Sequence, residues 1–437
     1  MISESFIING RKPLSGEIEV RGCKNAATPI IAATLLTKEP CYIKNLPLIE
    51  DVFRMIEIIK ELGARVEFVG KREIRIEAKN INPLKIEKKL ITMLRSSVLV
   101  LGPLIAHFKK VNLLQPGGCL IGARAIDAHI KGLIQMGAEV EKNKKEYSFK
   151  TKGLKPKEVI LPEFSVTATE NILMAASLIE GKTILKIAAL EPQVKDLSSV
   201  LIKMGTRIKW KEDHSVEIIG RKKLKGFSHF LIYDSIEAAS FIILAGAAGQ
   251  FSKKNTKIEI KNVPFEFLDL SIQKIKEFGV RIEKDGKNII IFPSKKLSSP
   301  GKVQNLPYPG IPADLQCLFG TLATQAKGKT LIHDPMYEGR LRYLESLTKM
   351  GAMITLLDPH RAIIEGPSNL KGIGVENYDL RSGIALIIAG LVAKGKTIIP
   401  NAYQVDRGYE KIEERLRNLG AAIERKEDKL IPELKES

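Results

Sequence analysis

The sequence is poor in the groups that mark several common chemistries. Its four cysteines, Cys23, Cys41, Cys119 and Cys317, are scattered, and no Cys-x-x-Cys pair occurs. That spacing argues against a zinc ribbon or disulfide scaffold and for a reducing, cytoplasmic compartment. The six histidines are dispersed and no His-Glu-x-x-His is present, so no metal site is expected. There is no Gly-x-x-x-x-Gly-Lys-Ser/Thr and no Gly-x-Gly-x-x-Gly after a strand, which removes the P-loop and the dinucleotide fingerprint. Aromatic residues make up only 6%, too few and too dispersed to offer a platform for stacking bases. No apolar run reaches the length of about eighteen residues that a spanning helix needs. The start, Met1-Ile-Ser-Glu-Ser-Phe-Ile-Ile-Asn-Gly, has an early acid and no long apolar core, unlike a signal peptide.

Acid is also scarce relative to base: 50 Asp and Glu against 69 Lys and Arg, a net charge of +19. Nucleic-acid binding, an anionic small substrate in a basic cleft and a general lysine bias all give such a balance. Clusters such as Lys142-Asn-Lys-Lys145 and Arg221-Lys-Lys223 read as surface turns. The lysine bias therefore comes first, with anionic substrates contributing locally and no nucleic-acid partner.

What is present is repetition. At 437 residues the chain is too long for one ordinary core, and two domains are the natural prior. Helix-to-strand junctions recur as Glu61-Leu-Gly-Ala-Arg-Val66, Gln135-Met-Gly-Ala-Glu-Val140, Lys203-Met-Gly-Thr-Arg-Ile208, Glu277-Phe-Gly-Val-Arg-Ile282, Lys349-Met-Gly-Ala-Met-Ile354 and Asn418-Leu-Gly-Ala-Ala-Ile423. Their glycines recur with a period of roughly 70 residues. Each follows an amphipathic run and precedes an alternating segment, so it reads as a helix C-cap in a left-handed conformation.

A second element recurs as often: a short helix of small and apolar residues. Its copies include Asn25-Ala-Ala-Thr-Pro-Ile-Ile-Ala-Ala-Thr34 and Ile236-Glu-Ala-Ala-Ser-Phe-Ile-Ile-Leu-Ala245. Helices apolar all round are buried. The unit is thus buried helix, strand, surface helix, strand pair, repeated six times. Three units per domain predict an α/β protein of two similar domains, one over 24–231 and the other over 232–437 together with 1–23.

Charge gathers at the starts of the buried helices: Lys24 with Asn25, Arg95, Thr167 with Thr169, Asp234, Asp314, and Asp379 with Arg381. Capping accounts for Asn25, Thr167, Asp234, Asp314 and Asp379 without any function. It does not account for Lys24, Arg95 and Arg381, because a cation at a helix N-terminus is mildly unfavourable unless an anion is bound there. A further set lies in turns after strands: Pro116-Gly-Gly-Cys119, Glu191-Pro-Gln193, Met336-Tyr-Glu-Gly-Arg340 and Gln404-Val-Asp-Arg-Gly408. If the domains face each other, both sets line one cleft suited to phosphate and carboxylate groups. Its cations would be Lys24, Arg95, Arg124, Arg340, Arg381 and Arg407, its acids Asp234, Asp314, Asp379 and Glu338. The stretch Gln115-Pro-Gly-Gly-Cys-Leu-Ile-Gly-Ala-Arg124 adds one thiol among glycines near a guanidinium. It reads either as a plain turn or as a mobile loop whose thiol ionises or donates a proton. His129 reads as structural, and Cys41 and Cys317 as packing residues.

Gly22-Cys-Lys-Asn-Ala-Ala27, the 115–124 loop, Ser165-Val-Thr-Ala-Thr169, Tyr378-Asp-Leu-Arg381 and Asp406-Arg-Gly-Tyr-Glu410 together resemble the UDP-N-acetylglucosamine 1-carboxyvinyltransferase family of enolpyruvyl transferases. The similarity runs end to end. It implies two inside-out α/β barrel-like domains with an active-site cleft between them, the N-terminal segment belonging with the C-terminal domain. It implies transfer of the enolpyruvyl group of phosphoenolpyruvate to the 3-hydroxyl of UDP-N-acetylglucosamine by addition and elimination, with release of phosphate and no cofactor. That reaction is the first committed step of peptidoglycan precursor synthesis.

By the same resemblance Cys119 is the proton donor to the methylene carbon and the thiol that fosfomycin alkylates. Lys24, Arg124 and Arg407 hold the phosphate and carboxylate of phosphoenolpyruvate, with Asn25 and Arg95 beside them. Asp314 lies near the sugar hydroxyl as base or positioner. Asn25, Arg95, Phe164, Ser165, Val166, Thr167, Asp314 and Met336 contact the sugar nucleotide. Glu191, Asp234, Tyr337, Glu338, Arg340, Asp379 and Arg381 are supporting residues of the cleft. Two positions depart from the family. Glu163 stands where some members carry a lysine for nucleotide contact, which weakens that part of the carry-over. Tyr337 replaces the usual phenylalanine. The nearest rival, the shikimate-pathway enolpyruvyl transferase, lacks the Pro-Gly-Gly-Cys loop. A non-catalytic UDP-sugar-binding relative is the alternative of another class.

Overall fold

The computed structural model describes residues 3–85, 88–117, 126–144, 146–253 and 256–428. Cys119, Arg124 and the rest of their loop from Gly118 onward lie outside the described residues. The described residues divide into two compact units, one lying within residues 22–232 and the other formed by 3–21 with 233–428. Gly22, Cys23 and Ile232, expected with the second domain, fall in the first, where the Cys23 N–H donates to the Ile232 carbonyl at 2.8 Å.

In the 22–232 unit the buried helices are Lys24–Ala33, Leu101–His107 behind a 3-10 turn Arg95–Val100, and Val166–Ser177. Three sheets flank them. One orders Ser228–Phe230, Cys41–Lys44, Glu73–Glu77 and Arg65–Gly70; a second Lys110–Leu114, Glu146–Thr151 and Ala138–Asn143; a third Arg207–Trp210, Val216–Gly220, Gly181–Lys186 and Glu158–Ile160. Each four-stranded sheet is an antiparallel set extended by one parallel strand from another repeat: Ser228–Phe230 beside Cys41–Lys44, and Glu158–Ile160 beside Gly181–Lys186. Repeats are thus laced together by lending strands.

The other unit repeats the plan with the helices Ser235–Ala248, Gln316–Ala323 and Leu380–Val392. Every residue from Ile236 to Ala248 is buried, which is why the sequence there shows no polar face. The strands around them alternate; in Asn288–Phe292 the second and fourth residues are buried, the pattern of a sheet with one face on the core. Helices form the inside of each unit and sheets the outside. The N-terminal strands join this unit directly. Gly16–Glu19 runs parallel to Ile258–Lys261, and Glu4–Asn9 lies between Lys396–Ile399 and Ala422–Glu427.

All six junction glycines, 63, 137, 205, 279, 351 and 420, have positive φ, between 87° and 111°. Gly63 also meets a neighbour closely: a Cβ there would lie 2.4 Å from the Asn80 carbonyl oxygen, whereas at Gly205 the nearest atom is the Arg221 Cδ at 3.7 Å. Gly63→Ala and Gly205→Ala should each cost about 1 kcal/mol or more through the backbone, and Gly63→Ala clearly more. Urea unfolding of the two variants measures this; equal losses would show that the contact with Asn80 carries no weight.

Candidate active site

In the unit of residues 233–428 the three buried helices pack on one another and bring their starts together. Two acids there are caps, as capping alone requires. Asp234 accepts from the N–H groups of Ile236 and Glu237 at 2.8 and 3.0 Å. Asp379 accepts from those of Arg381 and Ser382 at 2.8 and 3.2 Å, and the Ser382 hydroxyl oxygen accepts from the Asp379 N–H in return.

Asp314 is different. It sits in the 3-10 turn Ala313–Leu315 and caps no helix. Its carboxylate instead accepts from Arg381 Nη2 at 2.8 Å and from Arg340 Nη2 at 3.3 Å. Both guanidiniums are buried, Arg340 at 7% and Arg381 at 5% exposure. Burial is the largest single influence and works against their charge, but the combined pull of Asp314, with Asp379 at Arg340 and with Tyr409 and Asp234 at Arg381, exceeds it, and both pKa values are raised. The Cys317 thiol donates to the Arg381 carbonyl at 3.1 Å and is pushed up to about 12, chiefly by burial, so it stays a thiol and acts as packing.

The turn after Gly328–His333 carries Met336, Tyr337 and Glu338. Asp334 Oδ1 shapes it by accepting from the N–H groups of Met336 at 2.9 Å and Tyr337 at 3.1 Å. Met336 and Glu338 are exposed, Tyr337 is half-buried, and the Arg340 guanidinium lies 5.1 Å from the Tyr337 ring centre. Arg407 ends the short helix Tyr403–Asp406 and donates to Gln404 Oε1 at 3.0 Å. Beside it Asp406 accepts from Arg425 at 2.6 and 2.8 Å.

In the 22–232 unit the caps differ from those read in the sequence. Cys23, not Asn25, holds the N-cap position of Lys24–Ala33 and makes no side-chain cap. Ser165, not Thr167, caps Val166–Ser177, its hydroxyl accepting from the Ala168 N–H at 3.4 Å. This leaves Asn25, Val166 and Thr167 half-buried in the first turns of their helices. Thr169 instead accepts the Ala189 N–H at 3.0 Å. Lys24, the cation that capping could not explain, lies 2.9 Å from the buried Asp51 carboxylate.

Arg95 opens its 3-10 turn and acts on His129, which burial first and Arg95 second push down to about 3. His129 is therefore neutral and buried, as a structural histidine should be. Phe164 is exposed, and its ring centre lies 4.8 Å from that of His214. Glu191 stands at the N-cap position of Pro192–Lys203 without capping it through its side chain. Near it is Glu170, fully buried, which burial and then Glu191 hold protonated well above the usual carboxylate range. Asp51, Glu170 and His214 were not singled out in the sequence. Glu170 alone left a signal, as an acid inside a helix otherwise lined by apolar and small residues.

The structure thus groups Asp234, Asp314, Arg340, Asp379 and Arg381 in one unit, and pairs Lys24 with Asp51, Arg95 with His129, Phe164 with His214 and Glu191 with Glu170 in the other. Among the described residues no group of three His, Cys, Asp or Glu is arranged to hold a metal, and no helix is long and apolar enough to cross a membrane. Helix starts with buried guanidiniums can take up anionic oxygens, and an acceptor such as Asp314 can orient a hydroxyl.

The model of EPSP synthase (3-phosphoshikimate 1-carboxyvinyltransferase) matches residues 8–416. The chain is 39% identical over 431 residues to the UDP-N-acetylglucosamine 1-carboxyvinyltransferase of Treponema denticola, covering 97% of this chain and 99% of that one. It is 41% identical over 422 residues to UDP-N-acetylglucosamine 1-carboxyvinyltransferase 1 of Carboxydothermus hydrogenoformans, covering 97% and 98%. The chain belongs to the UDP-N-acetylglucosamine 1-carboxyvinyltransferase family. The fold agrees: the enolpyruvyl transferase NikO from Streptomyces tendae superposes with a TM-score of 0.87 at 21% identity, over 98% of this chain and 99% of that one. These matches run over nearly the whole of this chain and of each protein compared.

Glu170 gives a pH test within that fold. Its folded pKa is raised, so the stability associated with it is full below the unfolded value, about 4.3, and is lost as pH rises through the folded pKa. Glu170→Gln should then match the wild type near pH 4 and exceed it in thermal stability at pH 8. Parallel melting curves across that range would show that Glu170 is not held protonated.

Proposed function

We propose that this chain transfers the enolpyruvyl group of phosphoenolpyruvate to the 3-hydroxyl of UDP-N-acetylglucosamine. The full-length kinship with enzymes of that name carries the reading, and the buried Arg340–Asp314–Arg381 arrangement supports it chemically. In the addition step the sugar hydroxyl gives up its proton, its oxygen bonds to C2 of phosphoenolpyruvate and C3 gains a proton, giving a tetrahedral ketal. In the elimination step a proton leaves C3 and phosphate departs, restoring the double bond. The residues of this chain have only to bind anions, orient the hydroxyl and move protons.

Cys119 is proposed as the proton donor to C3, and Asp314 as the group that orients the 3-hydroxyl, with proton removal open to it where geometry permits. Lys24, Asn25, Arg95, Arg124 and Arg407 are proposed to hold the phosphate and carboxylate. Phe164, Ser165, Val166, Thr167 and Met336 are proposed to contact the sugar nucleotide, together with Asn25, Arg95 and Asp314, with His214 backing Phe164 at 4.8 Å. Glu191, Asp234, Tyr337, Glu338, Arg340, Asp379 and Arg381 support them. The product feeds peptidoglycan synthesis, and hence cell-wall growth and division, from the cytoplasm.

Release of inorganic phosphate with both substrates tests the reading; no release, or release only when shikimate 3-phosphate replaces the sugar nucleotide, would sink it. Cys119→Ser should lose turnover by about a hundred-fold or more, the scale of a general acid, while melting as the wild type does. Fosfomycin should add covalently to the wild type and not to Cys119→Ser, as intact mass shows. Asp314→Asn should lower kcat more than it raises either KM.

A further inference from the structure

The Arg381 guanidinium is held at both terminal nitrogens. Nη2 donates to Asp314 at 2.8 Å, and Nη1 donates to the Tyr409 hydroxyl oxygen at 3.3 Å. Tyr409 is fully buried, and so is Ser240, whose hydroxyl oxygen lies 2.7 Å from that of Tyr409. Counting protons fixes the direction of each bond. Ser240 has one hydroxyl proton and lies 2.7 Å from the Ile236 carbonyl, which can only accept. Toward Tyr409 the Ser240 oxygen must therefore accept, and the Tyr409 O–H donates. The phenol oxygen then turns its lone pairs to Arg381, which has protons and no acceptor. Burial keeps Tyr409 a phenol, its pKa raised above the usual tyrosine value.

The route is geometrically fixed from the other side as well. Tyr409 follows Arg407 and Gly408 at the end of the Tyr403–Asp406 helix, and its N–H donates to Val405 at 2.9 Å. Gly408 lets this turn press on the start of the helix that bears Arg381: a Cβ there would lie 2.7 Å from Leu380 Cδ2. A planar guanidinium bound along one edge is free to swing about that contact. Bound at two nitrogens by partners from different elements, it is not.

We propose that Tyr409, locked by Ser240, is a positioning residue for the reaction, fixing the plane of Arg381 and through it the rotamer of the Asp314 carboxylate. The proposal rests on the enolpyruvyl-transfer reading given above. It adds two residues that touch no reacting atom and that serve one end of the chemistry, the orientation of the acceptor hydroxyl. They act on turnover rather than on ground-state binding, since Asp314 misplaced by a fraction of an ångström still leaves the binding groups in place.

The test is a double-variant cycle with wild-type turnover as reference. Tyr409→Phe keeps the ring and deletes the hydroxyl. It should lower kcat about ten-fold, the worth of one hydrogen bond to a charged group, with each KM within about three-fold of the wild type. In an Arg381→Leu background the same change should cost nothing further, because no guanidinium remains to be held. Ser240→Ala should give a smaller loss of the same kind, coupled to Arg381 in the same way, and serves if Tyr409→Phe folds poorly. Losses that add in the double variants, or a Tyr409→Phe enzyme with wild-type kcat, overturn the proposal alone. A wild-type chain that releases no phosphate overturns the reading beneath it.

Discussion

Enclosing whole helices within sheets dictates where chemistry can occur in this molecule. A helix surrounded on every side must be apolar on every side, so its length offers few places for a charge. Its N-terminus does, because the first turn carries unpaired N–H groups that need an acceptor. Charge therefore collects at the starts of the buried helices, where each ion has a neighbour able to answer it. Close packing of the helix bodies makes the restriction stricter. At Gly102 a Cβ would lie 2.4 Å from the Asn171 carbonyl oxygen, while the Asn171 side chain accepts from the Gly102 N–H and donates to the Val98 carbonyl.

The molecule answers the cost of buried charge in two ways. Around Asp314 the answer is pairing: two guanidiniums and a carboxylate remain ionised together, each repaying the other's loss of water. Around Glu170 and His129 the answer is neutrality: one stays protonated and the other unprotonated, because burial outweighs any partner. Lys24 and Asp51 return to pairing. A paired cluster is sensitive to loss of any member, since each deletion strands an ion, whereas a neutralised group is sensitive to pH.

Much of this was legible in the sequence. The six junction glycines announced the repeat through their spacing, because only a residue tolerant of positive φ ends those helices. The near-absence of polar residues over 236–248, where only Glu237 and Ser240 interrupt the apolar run, announced a buried helix. Asp234 and Asp379 read correctly as caps because a cap is a local matter settled within three residues. Asn25, Thr167 and Asp314 read incorrectly as caps for the converse reason. Cys23 and Ser165 take the two cap positions by a shift of register of two residues, and Asp314 is claimed by arginines from distant elements. Asp51, Glu170, His214, Ser240 and Tyr409 share that second cause: their partners are far away in the chain, and no spacing rule links Ser240 to Tyr409. Tyr409 stood inside a quoted motif, yet nothing in Asp406-Arg-Gly-Tyr-Glu410 says which way a phenol donates.

The strand Glu4–Asn9 has a consequence for how the molecule is made. It is the middle strand of its sheet, with Phe6 opposite Ile399 on one side and Arg425 on the other. Both partners are synthesised hundreds of residues later. The 22–232 unit can acquire all its strands while the ribosome is still at work, but Glu4–Asn9 emerges with neither edge covered and must wait for Lys396–Ile399 and Ala422–Glu427. Through that interval it is an unpaired apolar β segment, the kind of edge that recruits foreign strands. Order of synthesis and order of assembly thus run oppositely here: a strand translated before both its partners is among the last to be enclosed.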